Sequence, residues 1–312
     1  MENTENNQHL NDDEIDLKEL LIILTNGKWI IAALTSLASI IAVIYSLSLP
    51  NIYQSNAILV PVEASDSMSG ALKSYSSIAN LAGMNFTSQA SDSNSVKAME
   101  KIKTLSFFEN NIMPNIFLPD LMAIDSWHDQ TNELKFNQSL YDDESNAWVR
   151  DFSYPQKQVP SAQESFREFK KHLSFSEDKQ SGFINIAIKH QSPIIAKEWV
   201  DLLINQINAF YREKDRAEAE RAVAYLNKQI TKTSLTEIKQ VIAVLLQQET
   251  QKLTLIEANE AYVFDYIDPP VVMERKSEPY RALICIIGAF IGVMLGITLV
   301  LVAHFRSSFK TI

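Results

Sequence analysis

Two uncharged apolar runs bracket this chain: WIIAALTSLASIIAVIYSLSL at 29–49 and ALICIIGAFIGVMLGITLVLVA at 282–303. Each has the ~20 residues a helix needs to cross a ~30 Å hydrocarbon core. The stretch between them has an ordinary globular mixture of apolar and charged positions. The pattern predicts a membrane hairpin with one large extramembrane body. The first run exceeds the roughly 7–15 apolar residues of a signal peptide, and an acidic segment precedes it, so a retained span is expected.

Residues 1–14 are polar and read as disordered. In IDLKELLIILTNGK, 15–28, Ile15, Leu17, Leu20, Leu21 and Leu24 lie near one helical face. This is either an amphipathic helix on the bilayer surface or an extension of the first span. IYQSNAILVPV, 52–62, alternates and is rich in β-formers, so it reads as a strand. Residues 63–94 read as loop with short helical turns. A helix is expected over 95–110, with Val96, Met99, Ile102, Leu105 and Phe108 spaced for one face. Pro114 and Pro119 then break the pattern, and 120–160 reads as irregular. Ser161 with Glu164 is a capping box opening a short helix to His172. Residues 173–175 and 183–189 look like a β-hairpin turned by DKQSG, with Ile184, Ile186 and Ile188 on one face.

After Pro193 no proline or glycine occurs until past Tyr262. Unbroken, such a helix would reach about 105 Å at 1.5 Å per residue. Its middle, REKDRAEAER at 212–221, is charged nearly all round, so it is either solvated or paired with charges on neighbouring helices. Hydroxyl and β-branched residues cluster in TKTSLTE, 231–237, where Ser234 and Glu237 suggest a second capping box. Either the segment turns there into a helical hairpin, or upstream residues climb and one long helix descends. VFDYIDPPV, 263–271, reads as a strand ended by Pro269 and Pro270, in a membrane-proximal sheet beside 53–60.

Charge sets the expected orientation. Lys18 and Lys28 precede the first span, and no lysine or arginine follows it until Lys73. This places the N-terminus in the cytoplasm, and the second span returns Arg306 and Lys310 to the same side. The net charge of -10 argues against nucleic acid as a partner. The single cysteine, Cys285, excludes an intrachain disulfide.

Gly288, Gly292 and Gly296 form one stripe on the second span, and Ala38, Ala42 and Ser46 repeat the spacing on the first. Small stripes let helix backbones approach closely, within or between subunits. No phosphate loop, nucleophile elbow or HExxH motif is present, and no cofactor is expected. Asp125, His128 and Asp129 cluster in a polar stretch, too sparse to hold a metal. Trp127, Tyr141, Trp148, Phe152 and Tyr154 lie among Asp142, Asp143 and Glu144. Such a set stacks on sugars in some proteins, but a satellite core is the favoured reading. The eight residues after His304 are too few for a kinase or cyclase, which argues against a receptor.

These features together resemble the Wzz-type chain-length determinant proteins, the polysaccharide co-polymerases of Gram-negative inner membranes. EIDLKELLIILTNGKWII at 14–31 is similar to the family's entry into its first span, and YQSNAILVP at 53–61 to its first periplasmic strand. IDPPVVMERKSEPYRALICIIGAFIGVMLG at 267–296 resembles its proline-rich approach and glycine-striped second span. Pro269, Pro270, Ser277, Pro279 and Arg281 carry that linker motif. Residues 273–276 depart from it, where relatives carry further prolines.

The resemblance implies an α+β fold: a periplasmic α/β base at 50–190 and 263–281, and a long helical projection at 193–262. The flanking parts are a cytoplasmic segment 1–28, spans 29–49 and 282–304, and a cytoplasmic tail 305–312. It implies a ring-like homo-oligomer in the inner membrane and no enzymatic activity. The implied role is to set the modal length of lipopolysaccharide O-antigen with a membrane polymerase acting on undecaprenyl-linked glycan. A capsule or exopolysaccharide co-polymerase and a membrane-anchored periplasmic adaptor or sensor are the rival readings.

Overall fold

The computed structural model describes residues 17–62, 94–259 and 261–308. The expectations for 1–14 and for most of 63–94 lie outside the described residues. The chain divides into two compact units, one from Met1–Asn51 with Ser277–Ile312, the other Ile52–Lys276.

The first unit is helical. Helix α1, Leu17–Asn26, is followed by α2, Lys28–Ser48. Gly27 sits between them at φ -85°, ψ 4°, so α1 is a separate helix before the span. The return helix, α8, is Arg281–Ser308. Lys28–Ser48 and Arg281–His304 are both long and apolar enough to cross a membrane. Only 11% and 17% of their most apolar windows are buried, which is unlike the core helix of a soluble protein.

The second unit is built on a four-stranded antiparallel sheet. Strand β1, Tyr53–Pro61, alternates as its sequence requires, with Ser55, Ala57 and Leu59 buried. It lies between β7, Ile184–His190, and β8, Phe264–Asp268, and β6, Leu173–Glu177, pairs with β7 on the far side. The expected 173–189 hairpin therefore forms, and Gly182 supplies the left-handed turn residue at φ 72°. Leu59 faces both Ile184 and Tyr266, and the register slips between Ile58 and Leu59. The expected pairing of 263–271 with 53–60 forms as well.

One face of this sheet carries the core. Helix α5, Ala162–His172, starts with the expected capping box, and it presents Phe169 inward. Phe169 meets Phe108 at 5.1 Å and Trp199 at 5.8 Å between ring centroids. The helix expected over 95–110 breaks after α3, Asn94–Ile102. The Thr104 hydroxyl donates to the Lys101 carbonyl and accepts from the Phe107 amide, so it caps a new turn. A wider π turn, Phe108–Ile112, follows. Val96 is exposed, and Ala98 takes the inward position instead.

The irregular reading of 120–160 is corrected. After α4, Leu118–Met122, two small hairpins form. They are β2, Ile124–His128, with β3, Glu133–Phe136, and β4, Tyr141–Asp142, with β5, Ala147–Trp148. Their turns hold Asn132 at φ 54° and Asn146 at φ 51°, the left-handed positions asparagine tolerates.

Candidate functional site

Three features hold the residues singled out above: the helix pair, the long hairpin and the linker. In the pair, α2 and α8 pack antiparallel through their small residues. A Cβ built on Gly288 would lie 2.4 Å from the Ala42 Cβ, and one on Gly292 would lie 2.8 Å from both the Ala38 Cβ and the Thr35 Cα. Gly296 faces Ile31, whose Cα would be 2.9 Å away. Gly292, Gly296, Ala42 and Ser46 are buried between the helices, and Gly288 and Ala38 half-buried. The structure adds a contact that the spacing did not indicate: Gly27 packs on Val300, 2.5 Å from a built Cβ. That contact closes the pair at its other end.

The long helical segment is a hairpin. Helix α6, Pro193–Lys232, is joined to α7, Thr236–Ala258, through three residues. At ~1.5 Å per residue α6 is about 60 Å long. Its buried residues run from Pro193 to Ala219, with Val200, Leu203, Ile204 and Ile207 in the core. Beyond Ala219 none of its residues is buried. The second capping box does not form: Leu235 is the N-cap of α7 and no side chain caps it. The Thr233 amide instead donates to the Gln229 carbonyl and closes α6.

The charged middle of α6 is tied to the returning chain. Arg212 donates to the Asn259 carbonyl at 2.7 Å, and Arg216 pairs with Glu257. Arg216 also lies 3.9 Å from Glu220, one turn further along the same helix. The Tyr262 hydroxyl donates to Asp215 at 2.6 Å, and burial with that carboxylate pushes its pKa up. About two turns below Asp215, the Asn208 side chain reads the start of β8. Its carbonyl accepts from the Val263 and Phe264 amides, and its amide donates to the Phe264 carbonyl. An asparagine inside a helix carries no sequence signal for that role.

The linker residues lie at the ends of their elements. Pro269 is exposed and Pro270 buried just after β8, and Ser277 and Pro279 are half-buried. Arg281 opens α8 and donates to Asn51 Oδ1 at 3.1 Å.

Asp125, His128 and Asp129 sit on β2 and its turn, and no metal-holding group of three occurs among the described residues. The aromatic set divides. Tyr141 packs on Trp148 at 5.3 Å, with Phe117 and Phe136 beside it, and Trp127 packs on Tyr53. These three form satellite packing. Phe152 and Tyr154 do not join it, at 53% and 97% exposed.

One buried polar group escaped the sequence reading. His190 is fully buried; its Nδ1 accepts from the Ser192 amide at 3.0 Å, and its Nε2 lies 3.0 Å from the Asp120 carbonyl. A neutral ring protonated on Nε2 satisfies both, and desolvation lowers its pKa to about 4. Burial, with Glu198 adding to it, raises the Asp120 carboxyl to about 6.

Two membrane-compatible helices flanking an α+β body with a helical hairpin define the class. Residues 13–105 match the family model for "Chain length determinant protein", Wzz. That match covers the first span and the first strand, and over this stretch it agrees with the resemblance read from the sequence. Among solved structures, it is similar to a "full-length bacterial polysaccharide co-polymerase" at 15% identity and TM-score 0.37, over 96% of this chain and 99% of that one. It is also similar to a fragment of WzzB, a polysaccharide co-polymerase from Salmonella Typhimurium. That likeness is 13% identical, with TM-score 0.31, over 73% of this chain and 100% of that one. Scores this low do not define a shared fold. No curated protein matches the chain.

Proposed function

We propose that this protein regulates the modal length of lipopolysaccharide O-antigen, or of a related surface polysaccharide, as a non-catalytic co-polymerase. The observation that carries the reading is the chain-length determinant match over residues 13–105. The protein lies in the inner membrane with residues 1–28 and 305–312 in the cytoplasm and 50–281 in the periplasm. It works as a homo-oligomer beside a membrane polymerase that extends undecaprenyl-linked glycan. The hairpin supports this reading: its outer half exposes Tyr225, Leu235, Ile238, Val241 and Val244, apolar positions suited to neighbouring copies. Length control then depends on the shape of the assembly rather than on a bond-making residue.

The test is deletion of the gene and gel analysis of lipopolysaccharide. Loss of the modal band, restored by the wild-type gene, is expected. An unchanged ladder with altered capsule or exopolysaccharide would favour the rival polysaccharide, and no glycan change at all would end the reading. Reporter fusions near residue 150 should be active only in the periplasm, and those after 305 only in the cytoplasm. Alanine at Asp125, His128 and Asp129 together should leave the ladder as it is.

A further inference from the structure

Residues 151–159, DFSYPQKQV, are exposed throughout, yet they are held at a fixed base. Arg150 makes that base. Its guanidinium donates to the Gln158 carbonyl at 2.8 Å and the Lys157 carbonyl at 2.6 Å. It also donates to both Glu164 oxygens, at 2.9 and 3.0 Å. The Arg150 and Glu164 side chains are only 12% and 10% exposed, and Glu164 accepts from the Ser161 amide as part of the α5 cap. The loop is thereby anchored to a helix start. Within it the Gln156 amide donates to the Ser153 carbonyl at 2.9 Å, a turn that carries Tyr154 at its crest. The result is two aromatic rings, Phe152 and Tyr154, displayed to solvent on a braced turn.

We propose that this turn is a carbohydrate-contact site, with Phe152 and Tyr154 stacking on the C–H faces of sugar rings. The proposal deepens the glycan reading above and rests on it. A sugar ring presents an apolar face with a rim of hydroxyls, and the loop offers the complement. The aromatics share the loop with Ser153, Gln156 and Gln158, exposed residues whose side chains can hydrogen-bond to hydroxyls. Aromatic side chains give large contact area at low entropic cost, and bracing the backbone lowers the cost further. Asp151 and Lys157 are the loop's only charges and offset each other, so the loop carries no net charge and no cluster of cations. Anionic lipid headgroups or nucleic acid would call for clustered cations instead.

The experiment uses the full-length protein in nanodiscs. The probe is lipid-free polysaccharide released by mild acid from the producing strain's lipopolysaccharide, and binding is followed by interferometry and saturation-transfer NMR. Phe152→Ala/Tyr154→Ala should weaken binding by about tenfold or more, while Tyr154→Trp keeps it. Because both side chains are exposed, the thermal midpoint and particle mass should not move. No binding by wild type, or equal binding by the double variant, overturns the site. A changed particle mass overturns it in favour of a contact between copies. Quenching of a dye at Tyr154→Cys (in a Cys285→Ser background) by spin-labelled lipid overturns it in favour of the bilayer. If gene deletion shifts the ladder but the loop variant binds normally, only this site fails. If deletion changes no glycan, the function itself fails, whatever the loop binds.

Discussion

The helix pair makes a prediction that depends on atomic contacts rather than on residue type. Placing alanine at Gly288 adds a methyl 2.4 Å from the Ala42 methyl, where carbon atoms normally sit ~3.5–4.0 Å apart. The next nearest atoms, the Ala38 carbonyl oxygen and the Ala42 Cα, are 3.6 and 3.8 Å away. The clash is thus with one methyl, and Ala42→Gly should remove it. Gly292→Ala differs. Its methyl would lie 2.8 Å from the Ala38 Cβ, but also 2.8 Å from the Thr35 Cα and 3.2 Å from the Leu34 carbonyl. Ala38→Gly leaves that backbone in place, so the helices must part by about 1 Å. A gap of that size forfeits roughly a quarter to a half of each dispersion contact across it. Each single alanine should cost about 1–3 kcal/mol.

The assay is SDS titration of full-length protein in mild detergent, diluted with unlabelled protein to suppress transfer between copies. Helix separation is read by energy transfer between dyes at the exposed positions Tyr45 and Ile286, in a Cys285→Ser background. Gly288→Ala should lower the SDS midpoint, and Gly288→Ala/Ala42→Gly should restore it. Gly292→Ala/Ala38→Gly should remain low. Equal rescue of both pairs, or of neither, would refute the argument that these glycines serve the contacts described.

The other predictions concern the folded body. Leu203 is wholly buried, so Leu203→Asp strands a carboxylate in the core at several kcal/mol, much of a domain's stability. Far-UV circular dichroism should show loss of the folded unit, whereas Val241→Asp, at an exposed position, should keep it. Asp120 has a folded pKa raised from 3.8 to about 6, so its ionisation opposes folding increasingly as pH rises through that window. Asp120→Asn should therefore raise stability at pH 7.5 on the order of 1 kcal/mol, after solvent screening, and by little at pH 4. His190 acts in the opposite sense, because its folded pKa is depressed from 6.5 to about 4. Its contribution is lost as pH falls through that range, and His190→Asn should flatten the acid limb of a thermal-melt pH series.

Signals that are local or periodic were legible in the chain. Spanning length, the alternation of 53–61, the Ser161–Glu164 cap and the proline-free helical run each arise from residues that interact within a few positions. They defined the α+β class and both apolar helices. They failed where one side chain outcompeted a pattern, as Thr104 ended a helix whose apolar spacing continued. They failed again at 120–160, where two left-handed asparagines turn strands only a few residues long.

What faces what was settled only by tertiary contacts. Sequence showed a glycine stripe but not that Gly27 meets Val300 at the far end. It allowed a hairpin or a single descending helix, and Arg212 and Arg216 reaching Asn259 and Glu257 chose the hairpin. It gave β1 an apolar face, yet the neighbours that fill its two edges lie more than 120 residues downstream. Such pairings carry no local trace, because their energy comes from burying surfaces that the chain brings together only once it has folded. The half-buried amide of Asn208, the neutral ring of His190 and the braced loop below Tyr154 belong to the same category. In each, a polar side chain takes its role from backbone groups supplied by a distant or separately folded segment.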